Sequence, residues 1–296
     1  MPQNTPSAEV SISHDLVHTL LQEFVPALAN EPLELVGSGW DNEIHRIGPD
    51  HAVRLPRREA ASRLVENEQR WLPELEKRLP VPIPTPTFNG GPAFGYLWHW
   101  SVVPWLPGVP LAHAPMLTPG KIIGDLAEFL NALHTPAPSD APHNPYRSVP
   151  LSARTEALHE AAEQLESELQ TQVVDLWDEI VDTPQWGGPP TWIHGDLHPL
   201  NALVRAGRLS AVIDFGDICA GDPATDMAIA WMLFDKDDRD TFRQSLSIGD
   251  HSIDIHTWNR ARAWALALGA TFMANSDDNP ALRRIGAATL ARVLER

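Results

Sequence analysis

The densest run of polar residues in an otherwise apolar setting is His194-Gly195-Asp196-Leu197-His198-Pro199-Leu200-Asn201, followed by Ile213-Asp214-Phe215-Gly216-Asp217. An aspartate, an asparagine five residues on and a second aspartate returned by a short hairpin are the groups that phosphoryl transfer requires. A carboxylate must orient an attacking hydroxyl and accept its proton, and hard oxygens must hold magnesium against the nucleotide phosphates. In that reading Asp196 is the base, and Asn201 and Asp214 are the magnesium ligands. The same segment admits a metal-dependent hydrolase. His194, Asp196 and His198 alternate like ligands on a strand, and Asp214 and Asp217 could complete a cluster. Such sites recruit more histidine, yet His134, His143, His159, His251 and His256 lie in helical or loop contexts without a second paired motif.

The elements that must position these groups are legible from periodicity. From Asp15 the apolar residues Leu16, Val17, Leu20, Leu21, Phe24, Val25 and Leu28 recur at helical spacing, with Ser13 or Asp15 as cap,. LELVGSGWDNEIHRIGPDHAVRLPR then reads as three short strands separated by turns,. Residues 59–79 return to helical period and place Glu68 on the apolar stripe of Leu64, Val65, Trp71, Leu72, Leu75 and Leu79,. A carboxylate on a buried stripe needs a partner. LPVPIPTPTF must be extended, further strands are expected within AFGYLWHWSVVPWLPG, and the prolines near 103–110 mark a junction,. Beyond it we expect a helix ending at His134, a second long helix over roughly 151–182, a hairpin turning at Ala206-Gly207, and helices from about 223 to the end,.

A chain of 296 residues is long enough to divide into two lobes. The formal charge is −17, with 8 Lys+Arg against 13 Asp+Glu up to residue 110 and 14 against 26 beyond it. No basic tract offers a track for phosphates, so nucleic acid is not an expected partner, and an acidic second lobe favours a cationic one. The single cysteine, Cys219, fits a reducing compartment,. MPQNTPSAEVSISHD has neither the basic start nor the apolar core of a secretory signal, and no stretch is long enough to span a bilayer,. The expectation is a cytoplasmic protein without membrane association.

Residues 194–217 carry His-Gly-Asp, then Asn five residues after the Asp, then Ile-Asp-Phe-Gly thirteen residues after the Asn; Gly221-Asp222-Pro223-Ala224-Thr225-Asp226-Met227-Ala228 follows. In this the chain resembles the aminoglycoside phosphotransferase and choline kinase-like family, relatives of protein kinases. The resemblance implies an α+β, two-lobed protein-kinase-like fold: a small antiparallel-sheet lobe over residues 1–106, ending in a hinge within Trp98 to Trp105, and a larger helical lobe over 107–296. It implies transfer of the γ-phosphate of ATP or GTP, with Mg2+, to a hydroxyl of a small molecule such as an aminoglycoside.

By the same resemblance, Gly37, Ser38 and Gly39 form the phosphate-facing loop, and Asp226 supports the catalytic loop with Trp231 and Phe234 in the core. His194 holds that loop. Arg54 stands where the family carries lysine and pairs with Glu68. That replacement is the one feature pointing to a nucleotide-binding pseudokinase, against which stand the intact Asp196, Asn201 and Asp214. The stretch Arg54-Leu55-Pro56-Arg57-Arg58 is similar to macrolide kinases, whereas Asp214-Phe215-Gly216 departs from their Asp-Trp-Ser.

Overall fold

The computed structural model describes residues 7–114, 119–249 and 251–295; the first six residues of the stretch read for a secretory signal lie outside it. Ser13 accepts a hydrogen bond from the Leu16 amide (3.1 Å) and starts α1 (His14–Phe24), which buries Val17, Leu20 and Leu21,. The helix stops short of Leu28 because Pro26 disfavours helical geometry in the residue before it. Strands β1 (Leu33–Ser38), β2 (Asn42–Ile47) and β3 (His51–Pro56) form a meander. Helix α2 (Glu59–Leu75) follows, and β4 (Phe88–Gly90) and β5 (Trp100–Pro104) complete an antiparallel sheet of order β1-β2-β3-β5-β4.

The end of the proline-rich connector thus becomes an edge strand, Phe88 lying opposite Val102. An edge is where a segment poor in amide donors can join a sheet. Within the stretch 93–108 where strands are expected, β5 is the strand of this sheet, and ahead of it Ala93 and Tyr96 exchange backbone hydrogen bonds of 3.0 and 2.9 Å in a tight turn. Helix α1 closes one core with Ile47, Val53, Leu55, Trp100 and Val102. Helix α2 sends Leu72 and Leu75 into the other, larger core, and so ties the two lobes together.

That larger core belongs to the second lobe. It contains β6 (Val109–Pro110), α3 (Pro119–Leu133), α4 (Thr155–Ala162), α5 (Ser167–Ile180), β7 (Thr191–Ile193), β8 (Ala202–Arg205) and β9 (Arg208–Val212). Strand β10 (Cys219–Gly221) and helices α6 (Ala224–Met227), α7 (Ile229–Leu233), α8 (Lys236–Ser245), α9 (Ile255–Asn275) and α10 (Pro280–Leu294) complete it. The single helix expected over 151–182 is broken. Glu166 is extended ahead of α5, and the bend lets both halves bury Leu158, Ala161, Val173 and Trp177 in one core. Apolar period persists through such a bend, so spacing alone does not reveal it. Hairpin β8–β9 turns at Ala206-Gly207, both at positive φ, as a two-residue primed turn requires. Strands β7 and β10 pair with Ile193 opposite Cys219, which brings the chain entering His194 beside the chain leaving Asp217.

Helix α3 is fastened to that hairpin by Asp125, which accepts from Arg208 Nε (2.8 Å) and Nη2 (2.5 Å) and from the Leu209 amide (2.9 Å). The Arg208 guanidinium holds the Asp125 carboxyl below the usual carboxylate range. This stabilisation is therefore present above the ordinary carboxylate pKa and lost as the pH falls through the lowered value. Asp125→Ala leaves the buried Leu209 amide without its acceptor. It is expected to cost about 1–3 kcal/mol in denaturant unfolding, with nucleotide affinity unchanged.

Candidate active site

The catalytic-loop candidate is held from below by one buried carboxylate. Asp226 accepts from the amides of His194 (2.8 Å) and Gly195 (2.9 Å), and its Oδ2 lies 3.1 Å from His134 Nε2. With three partners this fully buried aspartate is satisfied,. Gly195 has φ +83, and a Cβ there would sit 2.6 Å from the Asp217 carbonyl and 3.3 Å from Arg147 Cγ. Only glycine meets both demands. His194 donates from Nε2 to the Ile213 carbonyl (3.0 Å) and accepts the Asp196 amide at Nδ1 (3.2 Å), so both ring nitrogens are consumed within the loop. His198 Nδ1 accepts the Leu200 amide (3.3 Å), and its Nε2 lies 3.5 Å from Asp196 Oδ2. The alternating ligand set of the hydrolase reading does not converge on a point.

Asp196, Asn201 and Asp214 do come together. Asn201 Nδ2 donates to the Asp196 carbonyl (2.9 Å), and the Asn201 carbonyl accepts the Ile213 amide (2.9 Å). The loop is thereby zipped to the residue before Asp214. Because the amide nitrogen faces the Asp196 carbonyl, Asn201 Oδ1 is turned away from that carbonyl. Asp214 sits at φ 64, ψ 65, a left-handed conformation that costs a side chain about 1–2 kcal/mol and concentrates at functional sites. Its carboxylate is half exposed and, among the described residues, accepts from Arg54 Nη2 at 3.3 Å. A carboxamide oxygen and a half-exposed carboxylate are the hard donors that magnesium takes, so these residues fit the ion.

Above them the sheet delivers Arg54 from β3 and α2 delivers Glu68. The pair is buried, with Arg54 Nη1 2.6 Å from Glu68 Oε1. Burial alone would lower the Arg54 pKa; Glu68 and then Asp214 outweigh it and keep the guanidinium charged. Gly37 and Ser38 end β1 opposite Ile44 and Glu43, and the Gly39 amide closes the turn on the Asn42 carbonyl (2.9 Å). Arg57 Nη1 donates to the Gly39 carbonyl (2.6 Å), and Arg58 binds the Trp40 carbonyl (3.2 Å) and the Asp41 carboxylate. The Arg-Arg stretch that resembles macrolide kinases therefore fastens the glycine turn of the first lobe.

One contact to Asp196 was not foreseen from sequence. Arg147, in the loop between α3 and α4, donates from Nη2 to Asp196 Oδ1 (2.8 Å) and from Nε to Asp217 Oδ2 (3.1 Å). Asn144 Nδ2 holds the other oxygen of Asp217 (2.8 Å). Burial would push the Asp196 carboxyl up; the facing His198, Arg147 and His194 outweigh it and hold it well below the usual carboxylate range. In sequence, Arg147 is one arginine in a proline-rich connector, and no local pattern marks it.

A five-stranded antiparallel sheet with a buried Arg–Glu pair, set over a helical lobe that carries the loop and hairpin, defines a protein-kinase-like phosphotransferase. The profile described as the phosphotransferase enzyme family matches residues 32–264, and the chain belongs to that family. Solved structures share the fold across nearly the whole chain. The GDP and kanamycin complex of APH(2")-IIia is 19% identical at a TM-score of 0.69, covering 94% of this chain and 97% of that one. The GDP complex of wild-type aminoglycoside 2'-phosphotransferase-IIIa gives 20% and 0.66, with 95% and 99% covered. The macrolide 2'-phosphotransferase MphH from Brachybacterium faecium gives 21% and 0.61, also with 95% and 99% covered. No curated protein sequence matches the chain significantly. Among the described residues, no helix is long and apolar enough to cross a membrane.

Proposed function

We propose that this phosphotransferase moves the γ-phosphate of ATP or GTP to a hydroxyl of a small molecule, with residues 1–106 as the nucleotide lobe and 107–296 as the catalytic and acceptor lobe. The observation that carries this reading is the convergence of Asp196, Asn201 and Asp214 beneath the Arg54–Glu68 pair. Asp196 orients the acceptor hydroxyl. As the acceptor oxygen bonds to the γ-phosphorus, the bond from that phosphorus to the β–γ bridging oxygen breaks. The hydroxyl proton passes to the free oxygen of Asp196 and then to water, and the nucleoside diphosphate leaves. Asn201 and Asp214 hold Mg2+, which when bound neutralises the phosphate charge as the loose transition state forms. Arg54, kept in place by Glu68, reaches the phosphates, and the turn at Gly37, Ser38 and Gly39 covers them. Since Arg57 and Arg58 fasten this turn, their likeness to macrolide kinases concerns the donor site and leaves the acceptor open.

The acidic second lobe favours a cationic acceptor. APH(2")-IIia was solved with kanamycin, which makes aminoglycosides the first class to test, with macrolides and other hydroxylated metabolites next. If the acceptor is an antibiotic, the activity would confer resistance. A nucleotide donor and a lone buried cysteine support a cytoplasmic location.

As in the kinase-like enzymes the chain resembles, the purine is expected to meet a backbone amide, here at the exit of the hinge over residues 104–107. Pro104 and Pro107 lack amide hydrogens, and the Trp105 amide is committed to the Asp50 carbonyl (2.7 Å). The Leu106 amide remains to donate to the base. Leu106→Pro should weaken nucleotide binding about tenfold, the value of one good hydrogen bond, whereas Leu106→Ala should not. Titration with a fluorescent nucleotide separates the two, and equal affinity in both variants would move the contact elsewhere.

The reaction is tested by mass spectrometry of aminoglycosides, macrolides and small hydroxylated metabolites incubated with the protein, magnesium and ATP or GTP. The Asp196→Asn variant serves as blank. A phosphate-sized gain on one class, absent in the blank, establishes the activity; no gain on any compound, with no nucleotide consumed, rejects it.

A further inference from the structure

We infer that Arg147 is a positioning residue for transfer: it clamps one oxygen of Asp196 so that the other is left aimed at the acceptor hydroxyl. The inference rests on the role proposed for Asp196. A carboxylate at the end of a two-torsion side chain has several rotamers, and a displacement of about 1 Å in a reacting group can cost ~10²-fold in rate. Something must select one orientation. The loop backbone fixes the Asp196 main chain through His194 and Asn201, but neither contact holds its carboxylate. The close donor to that carboxylate is Arg147 Nη2, at 2.8 Å from Oδ1. His198 Nε2 lies 3.5 Å from Oδ2 and leaves that oxygen room for a hydroxyl.

Arg147 is itself built in. Its Nε is anchored by Asp217 (3.1 Å), and Asp217 by Asn144 (2.8 Å). Asn144 Oδ1 also accepts the amides of Tyr146 (2.8 Å) and Arg147 (3.1 Å), closing the loop on itself. The loop is pinned at both ends of the arginine: the Ala220 amide donates to the Pro142 carbonyl (2.9 Å), and Thr225 Oγ1 donates to the Arg147 carbonyl (3.4 Å). The bare Gly195 lets the arginine stem pass, since a Cβ there would lie 3.3 Å from Arg147 Cγ. A guanidinium serves two carboxylates at once because its donors diverge in a rigid plane; an ammonium on a flexible stem supplies charge without that fork. Three segments distant in sequence, the Asn144–Ser148 loop, the catalytic loop and the turn after Asp214, therefore converge to orient one carboxylate.

The test compares the parent with Arg147→Gln and Arg147→Lys. The readouts are phosphate released to water from magnesium ATP or GTP without acceptor, transfer to whichever acceptor the mass-spectrometric panel identifies, and affinity for a fluorescent nucleotide. Arg147→Gln should lower kcat about 10- to 100-fold, with nucleotide affinity within about twofold of the parent. Arg147→Lys keeps the charge and so guards against a fold lost to two unpaired aspartates. It should leave the unfolding midpoint near the parent's and still lower kcat about tenfold. Either variant turning over as fast as an active parent, or faster, overturns the positioning role while leaving the transferase reading intact. A parent that neither hydrolyses nucleotide nor phosphorylates an acceptor overturns the reading, and the inference with it.

Discussion

Asp196→Asn is expected to lower phosphoryl transfer by ~10²- to 10⁴-fold, the usual worth of a positioned general base, with the affinity for magnesium nucleotide unchanged. The separation of the two effects follows from the geometry. Asn201 is oriented by the main-chain carbonyl of residue 196 (2.9 Å), not by its side chain, and Asp214 is reached from the Arg54 side (3.3 Å). An asparagine at 196 preserves both. It keeps an oxygen for Arg147 to hold while losing the charge and the capacity to take up a proton. Single-turnover transfer, measured beside nucleotide titration, provides the check. A variant that transfers at the parental rate would remove Asp196 from the base role. One that fails to bind nucleotide would mean the loop had rearranged and that the rate loss says nothing of proton transfer.

The parts of the site that were legible in sequence lie within one contiguous stretch. His194 to Asp217 is a loop and a hairpin, and turn residues such as Ala206-Gly207 with apolar runs on either side specify where the second aspartate returns. Asp226 was readable only through the family resemblance; the structure shows it accepting from the amides of His194 and Gly195 beneath the loop. Glu68 announced itself by falling on a buried stripe, where a carboxylate needs a partner; that the partner is the strand cation Arg54 came from the family resemblance. Arg147 gave no such signal. It belongs to a connector whose course is set by the packing of α3, α4 and β10, and its two carboxylate partners lie about fifty and seventy residues away. The fold was legible to a similar depth. Strands and helices showed through their periods, whereas the bend at Glu166 and the edge strand at Phe88 did not. Both are decided by where neighbouring elements leave room, which local spacing does not encode.

The second large effect concerns the Arg54–Glu68 pair. Glu68→Ala should destabilise the protein by about 3–5 kcal/mol, because it strands a buried guanidinium whose other partner, Asp214, is half exposed and 3.3 Å away,. The double change Arg54→Met with Glu68→Leu should recover most of that loss, since well-packed apolar residues replace a buried ion pair at little net cost. Nucleotide affinity should fall in both. If the pair served the fold alone, the double variant would bind nucleotide as the parent does. Arg54→Lys distinguishes further. Arg54 Nε is buried without a hydrogen-bond partner, a cost that lysine would not carry, yet one ammonium cannot span Glu68 and Asp214 as the fork does. Stability within about 1 kcal/mol of the parent, together with weaker nucleotide binding, is therefore the expected result for lysine. Urea unfolding followed by tryptophan fluorescence, run beside nucleotide titration, measures both quantities. Equal stability of Glu68→Ala and the double variant would show that the guanidinium is not stranded when its partner is removed, and the pair would then have to be assigned to nucleotide binding alone.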